Sequence, residues 1–131
     1  MKSFVVIVTV LFVSISYGQS YDAKCIARTV EGTFYAEVKG IDDYVVIRKK
    51  KKQIETCTFN GELATMVLKV DWMSATNYRI TPIKYKNFPK NYPVDYEPID
   101  VTIIGCNDEF FTTQVKVGER IIEGKYFFNE E

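Results

Sequence analysis

Apolar side chains recur at every second position through much of the chain, the spacing of a strand with one face turned towards a core. Phe34, Ala36 and Val38 alternate with Tyr35, Glu37 and Lys39. Ala64, Met66, Leu68 and Val70 alternate with Thr65, Val67 and Lys69, and Phe111, Thr113, Val115 and Val117 with Thr112, Gln114 and Lys116. Val, Ile, Thr, Tyr and Phe dominate these runs, and their branched or flat side chains suit a pleated surface. The pattern predicts eight strands, over 33–39, 43–49, 53–59, 62–70, 77–86, 99–104, 109–117 and 120–128, with a short extended piece over 25–30 ahead of them. The segment 62–75 also fits a helical stripe through Leu63, Met66, Val67 and Val70. It is read as a strand because it follows a hairpin turn directly.

The connections fix the architecture further. Asn60-Gly61 offers two residues that tolerate positive φ, as a tight type I′ hairpin requires, and Gly118-Glu119, Gly40-Ile41-Asp42 and Gly105-Cys106-Asn107-Asp108 carry turn chemistry as well. Such links are too short for a crossover and join antiparallel neighbours. One long connection remains, from about Asn87 to Pro98. The chain therefore reads as all-β, an antiparallel hairpin-rich meander that favours a small up-and-down barrel. The alternative is a two-sheet β-sandwich, which needs more long returns.

The beginning of the sequence belongs to a different class. Met1-Lys2-Ser3 is a short positive opening, residues 4–16 are an uncharged apolar run, and Ser16 and Gly18 are small residues at the positions a signal peptidase reads. Residues 1–18 are expected to be a secretory signal peptide and 19–131 a single exported β domain. The apolar run of about 13 residues falls short of the roughly 20 that a helical membrane span needs, and no later segment is apolar enough for a span. The sequence holds 17 basic and 17 acidic residues; losing Lys2 leaves a net charge of −1, which argues against general nucleic-acid binding. Nine Phe, nine Tyr and one Trp give the domain ample material for a core.

Export also changes how the three cysteines are read. In an oxidising compartment two of them should pair, and three single pairings exist. Cys57 with Cys106 is favoured and Cys25 is the alternative partner, because Cys25 lies near the mature terminus, where order is least assured. The leftover thiol is open to burial, to a disulfide-linked dimer or to a ligand.

Catalytic equipment is sparse. The chain contains no histidine, which excludes Ser-His and Cys-His pairs and His-ligated metals, and it has no Gly-rich phosphate loop and no Cys-x-x-Cys pattern. No catalytic residue, metal or cofactor is expected. Two stretches invite binding instead. Arg48, Lys49, Lys50, Lys51 and Lys52 lie between two strands, where five cations at a hairpin tip would suit an anionic glycan, lipid head or extracellular protein. The near-repeat Asn87-Phe88-Pro89-Lys90-Asn91-Tyr92-Pro93 sits in the long connection. Its prolines predict a stiff extended loop, with Phe88, Tyr92 and Tyr96 either closing the open end as a lid or facing a partner.

Gly32-Thr33-Phe34-Tyr35, just after a short N-terminal lead, resembles the first motif of the lipocalin family, Gly-x-Trp with a following Tyr. Phe34 stands in the tryptophan place, and no second or third family motif follows. The resemblance implies that Gly32 bends the chain into the first barrel strand and that Phe34 closes the barrel floor, and it adds Phe34 to the candidates for ligand contact. The function expected on these grounds is a secreted, non-enzymatic carrier of a small hydrophobic ligand. The alternative is a β-sandwich interaction module or inhibitor acting through its loops.

Overall fold

The computed structural model describes residues 23–38 and 41–129; the expected signal peptide lies outside them. A helix, α1 (Ala23–Arg28), precedes eight strands: β1 (Gly32–Val38), β2 (Ile41–Arg48), β3 (Lys52–Phe59), β4 (Glu62–Trp72), β5 (Asn77–Lys86), β6 (Ile99–Cys106), β7 (Phe110–Val117) and β8 (Arg120–Phe128). Each strand pairs antiparallel with the next, and β1 closes on β8 through Phe34↔Phe128, Tyr35↔Phe127 and Ala36↔Tyr126. The result is a closed up-and-down barrel, in which every strand has a neighbour on both sides.

Local chemistry explains the turns. Asn60 (φ 49°) and Gly61 (φ 83°) both adopt the left-handed conformation that the β3–β4 hairpin needs. Segment 62–72 is strand along its whole length, as its place after that hairpin predicts. On β5 the register slips by one residue opposite Val67 and Leu68, so Leu68 faces Pro82 while Val67 faces Lys84. Ile83 is the extra residue and points outward, exposed. That bulge turns both Pro82 and Tyr85 inward and gives a proline a place inside a strand.

The short extended piece expected over 25–30 is not found: Ala23–Arg28 is helical and residues 29–30 form a turn. Ala23, Lys24, Ala27 and Arg28 are good helix formers, and tertiary anchors decide the outcome. Thr29 ends α1 by donating its hydroxyl and its backbone N–H to the Ile26 carbonyl. Arg28 lays its guanidinium over the Phe128 ring, 3.9 Å from the centroid, and donates to the Asp108 carbonyl. A disulfide joins Cys25 to Cys106 at the end of β6, with Cα atoms 6.1 Å apart. The expected Cys57–Cys106 pair is thereby corrected. Cys57 faces the barrel interior in mid-strand, whereas Cys25 is held beside Cys106 by the docked helix.

These contacts define a closed end. Gly32 pairs with Arg48, Trp72 with Tyr78, Cys106 with Phe111 and Phe34 with Phe128, all at the end that α1 covers. Phe34, Phe111 and Phe128 meet edge-on or tilted, with centroids 5.0–5.9 Å apart. Gly32 has φ 145°, a conformation side chains resist, and a Cβ there would press on the Phe34 ring at 3.3 Å. The opposite end carries the β3–β4 hairpin and the long 87–98 connection.

Candidate functional site

Alternation along β2 and β3 decides which side chains enter the barrel. On β2 they are Tyr44, Val46 and Arg48, and on β3 Gln53, Glu55, Cys57 and Phe59. Across from β3, Gln53 pairs with Leu68, Glu55 with Met66 and Cys57 with Ala64, so the inner face grades from polar at the closed end to apolar at the mouth.

Arg48 is the centre of the polar end. It is 2% exposed, and its Nε donates to Gln53 Oε1 (2.8 Å), its NH1 to the Thr29 carbonyl (2.7 Å) and its NH2 to the Tyr78 hydroxyl (2.9 Å). The guanidinium also lies over the Tyr78 ring, 4.4 Å from the centroid, and within 6 Å of the Phe34 and Trp72 centroids. Arg48 thus bolts the segment after α1 to the barrel floor. The expectation that it belongs to an exposed cationic tip is corrected: it ends a strand whose inward phase runs Tyr44, Val46, Arg48. Lys49, Lys50, Lys51 and Lys52 remain exposed at that tip, beside the closed end.

Gln53 relays the contact towards Glu55. While its carbonyl accepts from Arg48, its Nε2 donates to Glu55 Oε2 at 2.5 Å, and the Tyr44 hydroxyl donates to Glu55 Oε1. Glu55 is half-buried, and the surface it shows lines the cavity. Burial pushes its carboxyl above the ordinary value, against the hydrogen bonds from Tyr44 and Gln53 and the charge of Arg48, which act downward. Burial likewise raises the Tyr44, Tyr78 and Tyr126 hydroxyls and the Cys57 thiol, so these groups stay neutral.

The raised Glu55 value has a measurable consequence. Between the unfolded and folded pKa the unfolded chain binds fewer protons, so stability falls as pH rises through that interval and the full penalty stands above the folded pKa. In thermal unfolding the Glu55→Gln variant should therefore gain on the native protein as pH rises through that interval, with the difference levelling off in acid. A difference independent of pH would contradict the buried position of the carboxylate.

Above this network lies a cavity of about 340 Å³, walled by the inner faces of β2 to β8 and roofed by the 87–98 loop. The loop is not extended throughout, as its prolines predict. A turn in which the Tyr92 N–H donates to the Pro89 carbonyl folds it back and brings the Phe88 ring against Tyr92, tilted, with centroids 5.0 Å apart. Asn87, at φ 62°, makes the entry bend that proline-adjacent backbone alone would not. Phe88 and Tyr92 both pack on Phe59, at 5.6 and 5.4 Å, and both line the cavity. Tyr96 does not: it is 54% exposed and packs edge-on against Tyr85, whose hydroxyl donates to the Asp95 carbonyl. Phe34 is not a cavity residue either, being 1% exposed among Arg48, Phe111 and Phe128 at the floor. Cys57 lines the cavity at 5% exposure, which places its sulfur out of reach of a second chain unless the barrel opens.

The network of Tyr44, Gln53 and Glu55 escaped sequence reading because Ile54, the apolar member of its run, points outward. Had the strand phase been taken from Cys57 and Phe59, Gln53 and Glu55 would have followed. On β8, Gly124 faces Thr113, and a Cβ there would meet the Thr113 hydroxyl at 2.9 Å and the Tyr126 ring at 3.1 Å; the missing side chain is what lets Tyr126 lie across the interior.

A wider cleft of about 560 Å³ between α1 and Trp72, Ser74 and Thr76 is open-sided and carries no ionisable group. Among the described residues, no cluster of three or more His, Cys, Asp or Glu could hold a metal ion, and no helix is long and apolar enough to cross a membrane. No family model, curated protein or solved structure matches the chain.

Proposed function

We propose that this protein is an exported, lipocalin-like carrier that holds one small, largely apolar ligand inside its barrel. The observation that carries the reading is the cavity of about 340 Å³, apolar around most of its wall, with one convergent polar group set at its inner end and aromatic rings over its mouth. That combination of an apolar wall and a few placed polar groups is the usual form of a small-molecule site, and the volume sits at the lower end for such pockets. Export is supported by the disulfide between Cys25 and Cys106, which persists in oxidising compartments, and by the apolar N-terminal sequence. The floor position of Phe34, with Gly32 bending the chain ahead of it, is what the lipocalin resemblance implies.

The test is a fluorescence titration with N-phenyl-1-naphthylamine, a neutral reporter that brightens in apolar surroundings. One saturable site per chain is expected. Met66→Trp, which fills the cavity from β4, should remove it, and joint replacement of Phe88 and Tyr92 by alanine should weaken it by roughly tenfold through loss of aromatic contact and shielding at the mouth. A reporter that never saturates, or that binds the Met66→Trp variant as well as the native protein, contradicts an internal site.

A further inference from the structure

The charges that face the cavity narrow the class of ligand, an inference that rests on the carrier reading above. Among the described residues, no lysine or arginine lines the wall. Its ionisable acids are Glu55 at the inner end and Asp95 on the mouth loop. The nearest buried cation, Arg48, is committed to Gln53, the Thr29 carbonyl and Tyr78, and it does not line the cavity. Glu55, by contrast, has capacity to spare. Each of its oxygens accepts one hydrogen bond, from Tyr44 or from Gln53, and a carboxylate oxygen can accept two.

An ionised carboxylate in a low-dielectric interior is costly unless counter-charge offsets its burial; the charge of Arg48 acts on Glu55 but is outweighed by that burial, and Arg48 makes no hydrogen bond to the carboxylate. A cation entering the cavity would remove that cost. A fatty acid or other anion would raise it, since no positive side chain on the wall would meet its head group. The tyrosines around Glu55 add to the preference, because the face of an aromatic ring attracts positive charge. Tyr44 touches the carboxylate, and Tyr78 and Tyr126 lie within its electrostatic reach.

We propose that the cavity is built for a compact organic cation, an amine carried on a small apolar body, whose charge rests on Glu55 beside Tyr44 while the body packs between the barrel wall and the Phe88–Tyr92 lid. The groups facing Glu55 are Tyr44 and Arg48 from β2, Gln53 and Cys57 from its own strand, Tyr78 from β5 and Tyr126 from β8. The tyrosines and the thiol are held neutral, so the carboxyl is the group whose titration changes the site. Amine affinity therefore falls as pH drops through that titration.

The experiment uses the oxidised protein and displacement of N-phenyl-1-naphthylamine by three probes that share one ring system: tryptamine, a cation; 3-ethylindole, neutral; and indole-3-propionate, an anion. Above the titration of Glu55, tryptamine should bind about tenfold or more tighter than 3-ethylindole, the range for a hydrogen bond to a charged group, with indole-3-propionate the weakest. Glu55→Gln should bring tryptamine to within about twofold of 3-ethylindole, and an intact unfolding transition shows that this variant is folded. In the native protein the tryptamine preference should shrink on acidification, a readout that needs no variant. Equal affinities for tryptamine and 3-ethylindole, or a preference that survives Glu55→Gln, overturn the inference and leave the carrier reading standing. A reporter that fails to bind at all removes both.

Discussion

Arg48→Met is expected to lower the free energy of unfolding by about 3 kcal/mol in urea titration at neutral pH, a large share of the stability of a domain this size. The side chain makes three hydrogen bonds, to Gln53, to the Thr29 carbonyl and to Tyr78. Methionine fills similar volume but leaves those acceptors buried and unpartnered, and each orphaned group costs about 1 kcal/mol or more. Replacing a buried ion by a hydrophobic residue can be neutral when its partners are replaced with it. Here they stay, and Glu55 also loses the favourable charge of Arg48. Arg48→Lys should recover only part of the loss, because one ammonium cannot span three acceptors set in the plane of a guanidinium. Changing Lys49, Lys50, Lys51 and Lys52 together to glutamine should alter stability by less than about 0.5 kcal/mol, since all four are exposed. An Arg48→Met midpoint equal to the native one would mean that the floor is held by something else.

Loss of the disulfide should cost about 2–4 kcal/mol. Cys25 and Cys106 are 81 positions apart, so the bridge closes most of the described chain into one loop and removes much of the freedom of the unfolded state. Its local effect adds to this, because it anchors α1, and with it Thr29, over Arg48. The double variant Cys25→Ser, Cys106→Ser should show this fall in guanidinium unfolding, whereas Cys57→Ala should change little beyond the loss of a small apolar contact. Mass analysis after alkylation of the unfolded, unreduced protein should find label on Cys57 alone. Label on Cys25 would mean that the other pairing is the real one.

Alternation and turn chemistry carried most of the architecture. The strand boundaries lie within a few residues of those read from periodicity, and Asn60-Gly61 is the hairpin its sequence demands. The failures share one physical cause, contacts between residues far apart in sequence. Residues 23–28 form a helix because the closed end of the barrel receives them, which local propensity does not register. Cys25 finds Cys106 for the same reason. Arg48 read as one of a run of five cations, yet it is the terminal inward position of β2, and strand phase overrides charge similarity. The bulge at Ile83 shifts the inner face of β5 by one residue, which put Tyr85 beyond the reach of a pattern with period two. Phe88 and Tyr92 were legible as a pair, but the turn that folds one onto the other depends on Phe59 beneath them.

Closure of β1 on β8 sets the order in which the molecule can be made. Phe34 and Ala36 pair with β2 early but find their β8 partners only when Phe128 and Tyr126 have left the ribosome, and Cys25 must wait for Cys106. The sheet therefore carries an open hydrogen-bonding edge until β8 is made, and its seam is a contact of very high sequence separation, the slow kind to form. The seam waits for β8, and a chain cut short before β8 yields an unsealed ribbon rather than a smaller barrel.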